Sequence, residues 1–208
     1  DNFSHWARIV KFLFLEGRLP LEADKIIEFT AYPVGSAIPL FYSAYYLKYN
    51  ETILLITQFV IIVSAFSAMT IMTRDKRRVL TQSFFYMFLV FSLIASRSIG
   101  LSVLLVDYLM VVLAVGALVS LVHYRHQFRQ MSLIMFFFIF YIITLKNSAI
   151  FFVIPIFFLY LYFVFRYHKK ITIRISGILL AFSSFLSTVM WSLHFNSNFS
   201  VVSKHGVS

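Results

Sequence analysis

The 208-residue chain has no cysteine, which excludes disulfides, cysteine-metal sites and thiol nucleophiles together. Acidic residues are also scarce, eight against eighteen basic ones, and charged residues of both signs make up only 12% of the chain. A soluble domain carries about a quarter. No glycine-rich phosphate loop, Walker sequence or helical HExxH occurs, which argues against an enzyme of soluble nucleotides. The opening residues are charged and amphipathic and lack the basic start and short apolar core of a signal peptide. The chain begins at Asp1 rather than Met, and the expectation drawn from this is a fragment whose upstream part holds a further membrane helix.

What is abundant is apolar. Hydrophobic residues make up 61% of the chain, 26 residues are Phe, and mean hydropathy is +0.87. The apolar residues fall in runs long enough to cross a hydrocarbon core of about 30 Å. The runs are continuous rather than alternating, which indicates helices and not a barrel. The expected fold class is therefore an all-α polytopic membrane protein. Six segments read as spans: 53–72, 80–96, 103–122, 131–145, 150–165 and 175–195. The fourth and fifth are short. Pro155 in the fifth is tolerable as a kink, because neighbouring helices can cover the freed backbone.

The loops between these segments set an orientation. TRDKRR, HYRHQFRQ and RYHKKITIR carry ten of the eighteen basic residues and one of the eight acids, a net +9, and alternate with loops near neutrality. That is the positive-inside pattern, and it puts these three loops in the cytoplasm. Most of the net charge of +10 is thus topology, with some attraction to anionic headgroups, and no nucleic-acid partner is expected. Residues 1–52 then form an external loop, 53–195 a transmembrane domain of six helices, and 196–208 an external tail. Within the loop, PVGSAIPLFYSAYYL (33–47) must lie on or dip into the outer face, since spanning it would break the charge alternation. Its three Tyr residues suit the headgroup zone. Phe3, Trp6, Ala7, Val10 and Phe14 recur at helical spacing and make 4–16 a second juxtamembrane amphipathic helix, capped by Ser4 and ended by Gly17.

Six of the eight acids lie in the external loop. Glu16, Glu22, Asp24 and Glu51 read as solvated surface acids. Asp1 has the company of Asn2, His5 and Trp6. A carboxylate there can serve as general base or metal ligand, and His5 can hold a phosphate or give a proton. The same residues also read as a helix cap followed by an interfacial Trp. Asp107, in SVLLVDYLMVVLAV, lies just inside the third span, where an acid must face a partner or a polar cavity. Arg97, in LIASRSIG, is at the outer end of the preceding span, and an Arg97–Asp107 ion pair is one reading. The other is an external site in which Asp107 positions a hydroxyl or metal and Arg97 holds a phosphate. Lys146, at the next external turn, is either a snorkelling anchor or a second phosphate contact.

The pattern DNFSHW…YPVG resembles the DEFSHW…YPPG pattern of bacterial polytopic glycosyltransferases of the GT-C superfamily. The resemblance covers residues 1–48 well and 95–115 loosely. It implies a first span, here missing, then a long external loop that starts with a catalytic acid and carries two juxtamembrane helices. Asp1 matches that acid, His5 and Trp6 match the His-Trp, and Tyr32, Pro33 and Gly35 match the Tyr-Pro-Pro-Gly. LVDYLMVVLA looks like the segment with the second-loop acid, which Asp107 would supply. Asn2 replaces the second acid of the pair and Val34 replaces a Pro. The implied activity is transfer of a sugar from a polyprenyl-phosphate-linked donor to a cell-envelope acceptor, which is a polysaccharide, glycolipid or protein, at the external face of a bacterial plasma membrane. Asp1 and Asp107 would be catalytic. His5, Trp6, Arg97, Lys146 and Tyr32 would bind substrate or phosphate, and a divalent cation, Mg2+ or Mn2+, would sit on Asp1 and Asp107. Membrane lipids complete the expected partners. Two other classes compete: a transporter or lipid-carrier flippase, and an inactive partner in a polysaccharide assembly complex, for which Asn2 is the main argument.

Overall fold

The structure is a computed structural model that describes residues 6–24, 33–70 and 106–199, with the isolated positions 83 and 87. Among the described residues every regular element is a helix. Four helical stretches are long and apolar enough to cross a membrane: Glu51–Ala68, Val106–His123, Asn147–Tyr167 and Ile171–Asn198. A fifth apolar helix, Phe128–Ile142, is shorter. The span expected over 80–96 falls outside the described residues apart from 83 and 87.

Helix α1, Trp6–Glu16, turns Trp6, Ala7, Ile9, Val10, Phe12 and Leu13 inward and leaves Arg8 and Lys11 exposed. That is a wider apolar face than the four of its residues that the sequence pattern picks out. It ends at Gly17, whose N–H returns to the Leu13 carbonyl at 3.0 Å. A 3-10 turn, Glu22–Asp24, follows. Asp24 accepts two hydrogen bonds from the Arg18 guanidinium, both 2.7 Å, and a third from the Leu21 N–H. This bidentate clasp closes the turn on itself.

Helix α2, Ala37–Leu47, has 11 residues. At 1.5 Å per residue it is about 16 Å long, roughly half the hydrocarbon thickness. Pro39 stands in its first turn, where a missing N–H breaks no ladder bond. Tyr42, Tyr45 and Tyr46 are exposed along it. Lys48, at φ 72°, turns the chain sharply. Asn50 then accepts the Thr52 N–H at 2.9 Å and starts helix α3, Glu51–Thr70. α1 packs on α2 and α2 on α3.

Helix α4, Val106–His123, is the centre of the bundle. It is 56% buried, against 22–33% for the other three long stretches, and it packs on α3 and on the next two helices. Those are α5, Phe128–Ile142, and α6, Ile150–Tyr167. Gly116 of α4 lies so close to α3 that a Cβ there would meet the Ala65 carbonyl oxygen at 3.0 Å. Small residues permit such backbone approach where no hydrophobic force acts between helices. α6 runs unbroken through Pro155.

The sequence expectation of one span over 175–195 meets two helices here. α7, Ile171–Ser183, and α8, Leu186–Asn198, are joined at a turn where the Ser184 hydroxyl bonds the Ala181 carbonyl at 2.6 Å. α7 packs on α5 and α6, and α8 on α5. Ser132 of α5 and Tyr160 of α6, both buried, bond at 2.8 Å, and the Tyr160 hydroxyl reaches the Gly177 carbonyl of α7 at 3.5 Å. The turns 124–127 and 168–170 lie together at one end of the bundle, joined by His168 Nε2 and the Arg125 carbonyl at 3.2 Å. Two of the three basic loops therefore share an end.

Candidate functional site

The site forms at the opposite end, around the connection between α5 and α6. α5 finishes in a turn in which the N–H groups of Ile143, Thr144 and Leu145 return to the carbonyls of Ile139, Tyr141 and Ile142. Lys146 then takes an extended conformation, φ −163° and ψ 151°, before the 3-10 turn Asn147–Ala149 leads into α6. Leu145 and Ala149, on either side, are fully buried. The turn is thus pinned by two apolar plugs, with the extended Lys146 between them.

Two other parts of the chain converge on this turn. One is Asp107, in the first turn of α4, where a negative charge is favoured by the helix dipole. Lys146 Nζ lies 2.9 Å and 3.1 Å from its two carboxylate oxygens. The Asp107 side chain is 57% exposed and that of Lys146 is 26% exposed. Such a pair is worth about 0–1 kcal/mol to the fold, so its interest lies in placement more than in stability. The other part is the turn Pro33–Ser36. The Gly35 N–H donates to the Thr144 carbonyl at 2.9 Å. A Cβ on Gly35 would stand 2.5 Å from that same carbonyl oxygen and closer still to the Thr144 hydroxyl. Only glycine fits, because the obstacle is backbone.

Asp107 and Lys146 are the sequence-derived candidates that the described residues bring together. Trp6 is 8% exposed and belongs to the apolar core through α1. Asp1, His5, Tyr32 and Arg97 lie outside the described residues, and so does any Arg97–Asp107 contact. Among the described residues no group of three or more His, Cys, Asp or Glu side chains could hold a metal. Sequence reasoning passed over Thr144, a small polar residue at the end of an apolar run. Its role depends on a backbone carbonyl, which carries no residue-type signal.

The fold and this site define a class: among the described residues, an all-helical architecture with four membrane-length helical stretches and an acid–lysine pair at the end opposite the basic turns. No protein-family model, no curated protein and no solved structure matches the chain.

Proposed function

We propose that the chain is the membrane-embedded part of a glycosyltransferase of the GT-C type, with six spans. It would move a sugar from a polyprenyl-phosphate donor to a cell-envelope acceptor at the end of the bundle that carries Asp107 and Lys146. One observation supports this reading above the others. The two segments that resemble that superfamily, YPVG and LVDYL, meet the same four-residue turn, one through Gly35 on Thr144 and the other through Asp107 on Lys146.

In this reading the acceptor hydroxyl attacks the anomeric carbon of the donor. The bond from that carbon to the phosphate oxygen breaks, and the polyprenyl phosphate leaves with the electron pair. Asp1 takes the hydroxyl proton as general base. Asp107, more than half exposed, accepts a hydrogen bond from the acceptor and orients it. Lys146 leaves Asp107 for the phosphate as negative charge develops there, joined by Arg97. His5 and Tyr32 border the donor, while Trp6 stays in the apolar core. Asp107 alone is a poor cation site, because an ammonium already meets both of its oxygens. No step here therefore runs through a metal.

The test is transfer from an extract of polyprenyl-phosphate sugars by the full-length protein in detergent. Lys146→Ala and Asp107→Asn should each lower turnover by at least tenfold, on the order of 1.4 kcal/mol of barrier or more. Asp1→Asn should abolish it. Unchanged turnover in all three removes the transferase reading and leaves the flippase or the non-catalytic partner in its place.

A further inference from the structure

The end of the bundle away from Lys146 carries charge of one sign. All eight acids of the chain stand at or before position 107, so no side-chain carboxylate from 108 onward can neutralise a cation. Six cations, Arg125, Arg129, Arg166, Lys169, Lys170 and Arg174, sit in or flank the turns 124–127 and 168–170. The third basic loop brings one acid, Asp75, which Arg74, Lys76, Arg77 and Arg78 of the same loop already outnumber.

The two turns form one surface. His168 Nε2 donates to the Arg125 carbonyl at 3.2 Å, the rings of Phe128 and His168 meet at 5.5 Å, and those of His126 and Tyr167 at 4.5 Å. Two of the six cations are committed to this frame. Arg125 Nη1 donates to the Val122 carbonyl at 2.7 Å, and Arg174 reaches across from α7 to the His168 carbonyl at 2.9 Å and the Phe165 carbonyl at 3.0 Å. These bonds satisfy carbonyls at the ends of α4 and α6, where the helix dipole also favours a cation. Arg129, Arg166, Lys169 and Lys170 are exposed, and among the described residues none of them pairs with a carboxylate. Like charges gathered without a counter-charge draw an anion from outside the chain. What lies beside them decides which anion. Phe165, Ile171 and Ile175 are 48%, 66% and 51% exposed, within two turns of Lys169 and Lys170. In stretches of membrane length such side chains face hydrocarbon, so these cations stand at its border, at the depth of lipid phosphates. A soluble anion meets the charges and leaves the apolar side chains without a contact. A phospholipid meets both.

We propose that this end of the bundle holds an anionic phospholipid, with its headgroup phosphate between Arg129 of α5 and Lys169 and Lys170 of the 168–170 turn, and its acyl chains against Ile171 and Ile175 of α7. The lipid ties α5 to the α6–α7 turn and relieves the repulsion among the exposed cations. The alternation of charge along the sequence concerns orientation, and any basic loop shares in it. This site needs the particular cations that the His168–Arg125 contact brings together. It does not rest on the transfer reading.

The experiment is native mass spectrometry of the full chain, delipidated in detergent and titrated with dioleoylphosphatidylglycerol or dioleoylphosphatidylcholine, which share acyl chains and differ in headgroup charge. The unmodified chain should bind the first phosphatidylglycerol roughly tenfold more tightly than phosphatidylcholine. A cation near a headgroup is worth about fivefold in affinity, so Lys169→Gln with Lys170→Gln should weaken phosphatidylglycerol binding by roughly tenfold or more. Lys169→Arg with Lys170→Arg keeps the charge and should bind as the unmodified chain does. Arg8→Gln with Lys11→Gln removes as much charge from α1, which packs on α2, and should leave the binding unchanged. Every position changed is exposed, and the comparison of the two lipids on the unmodified chain depends on no variant. Equal affinity for the two lipids, or an equal loss in the α1 variant, overturns the proposal. Displacement of phosphatidylglycerol by an equal concentration of inorganic phosphate also overturns it, because a soluble anion would then suffice.

Discussion

Gly35 carries more consequence than its size implies. Its N–H holds the 33–36 turn against Thr144, and any side chain there meets the carbonyl oxygen that accepts that bond. Gly35→Ala must break the bond and push the turn away. Overpacking of this kind costs about 1–3 kcal/mol. A fall of roughly 2–4 °C in Tm for each kcal/mol is expected for a chain of this length. Thermal unfolding in detergent checks it, with Val34→Ala as the milder neighbour. Asp24 gives a second prediction at this scale. The Arg18 guanidinium, helped by the Leu21 N–H, holds its carboxyl at about 2, below the usual value of about 3.9. A depressed carboxyl stabilises the folded turn above the ordinary value, and that contribution is lost as pH falls through about 2. Carbon-13 NMR of the carboxyl should give a midpoint near 2, and Arg18→Ala should return it toward 3.9. Sequence alone singled out Asp107 and Lys146 separately, because an acid at a span end and a lysine at an external turn are each conspicuous. It did not join them. They lie 39 residues apart, and Arg97 was the nearer cation along the chain.

At the scale of the helices, legibility followed the punctuation. Gly17 marks the end of α1, the short apolar run 131–145 became the short α5, and Pro155 left α6 intact. The break between α7 and α8 was invisible. FSSF has neither proline nor glycine, and the turn is made by Ser184 bonding back to Ala181, a choice that serine makes only when tertiary packing favours it. The hydrogen bonds between helices were equally hidden. Ser132, Tyr160 and Gly177 tie α5, α6 and α7 in a region otherwise held by dispersion. Tyr160→Phe removes the shared hydroxyl and strands Ser132. The expected cost is about 0.6 kcal/mol, the average for such bonds within membranes. A double-mutant cycle with Ser132→Ala, read by unfolding in mixed detergent, checks it. Coupling near zero would assign the seam to packing alone.

For the whole molecule, the two ends have different chemistry. One gathers the basic turns at 124–127 and 168–170, and the other gathers Asn50, the Asp107–Lys146 pair and the docked turn. The alternation of charge predicts which end faces the cytoplasm. The absence of cysteine makes the measurement clean. In intact cells an impermeant maleimide should label Asn50→Cys at once and Lys169→Cys only after permeabilisation; the reverse order would invert the orientation. The bond between Gly35 and Thr144 also has a consequence in time. Ribosomes add about 5–20 residues per second, so the acceptor for the Gly35 N–H emerges roughly 5–20 s after the donor. During that interval α1, α2 and α3 can pack on one another, but the 33–36 turn lacks the Thr144 carbonyl that accepts its bond. That turn must wait, open to a protease or a chaperone, until the second half of the chain arrives to receive it.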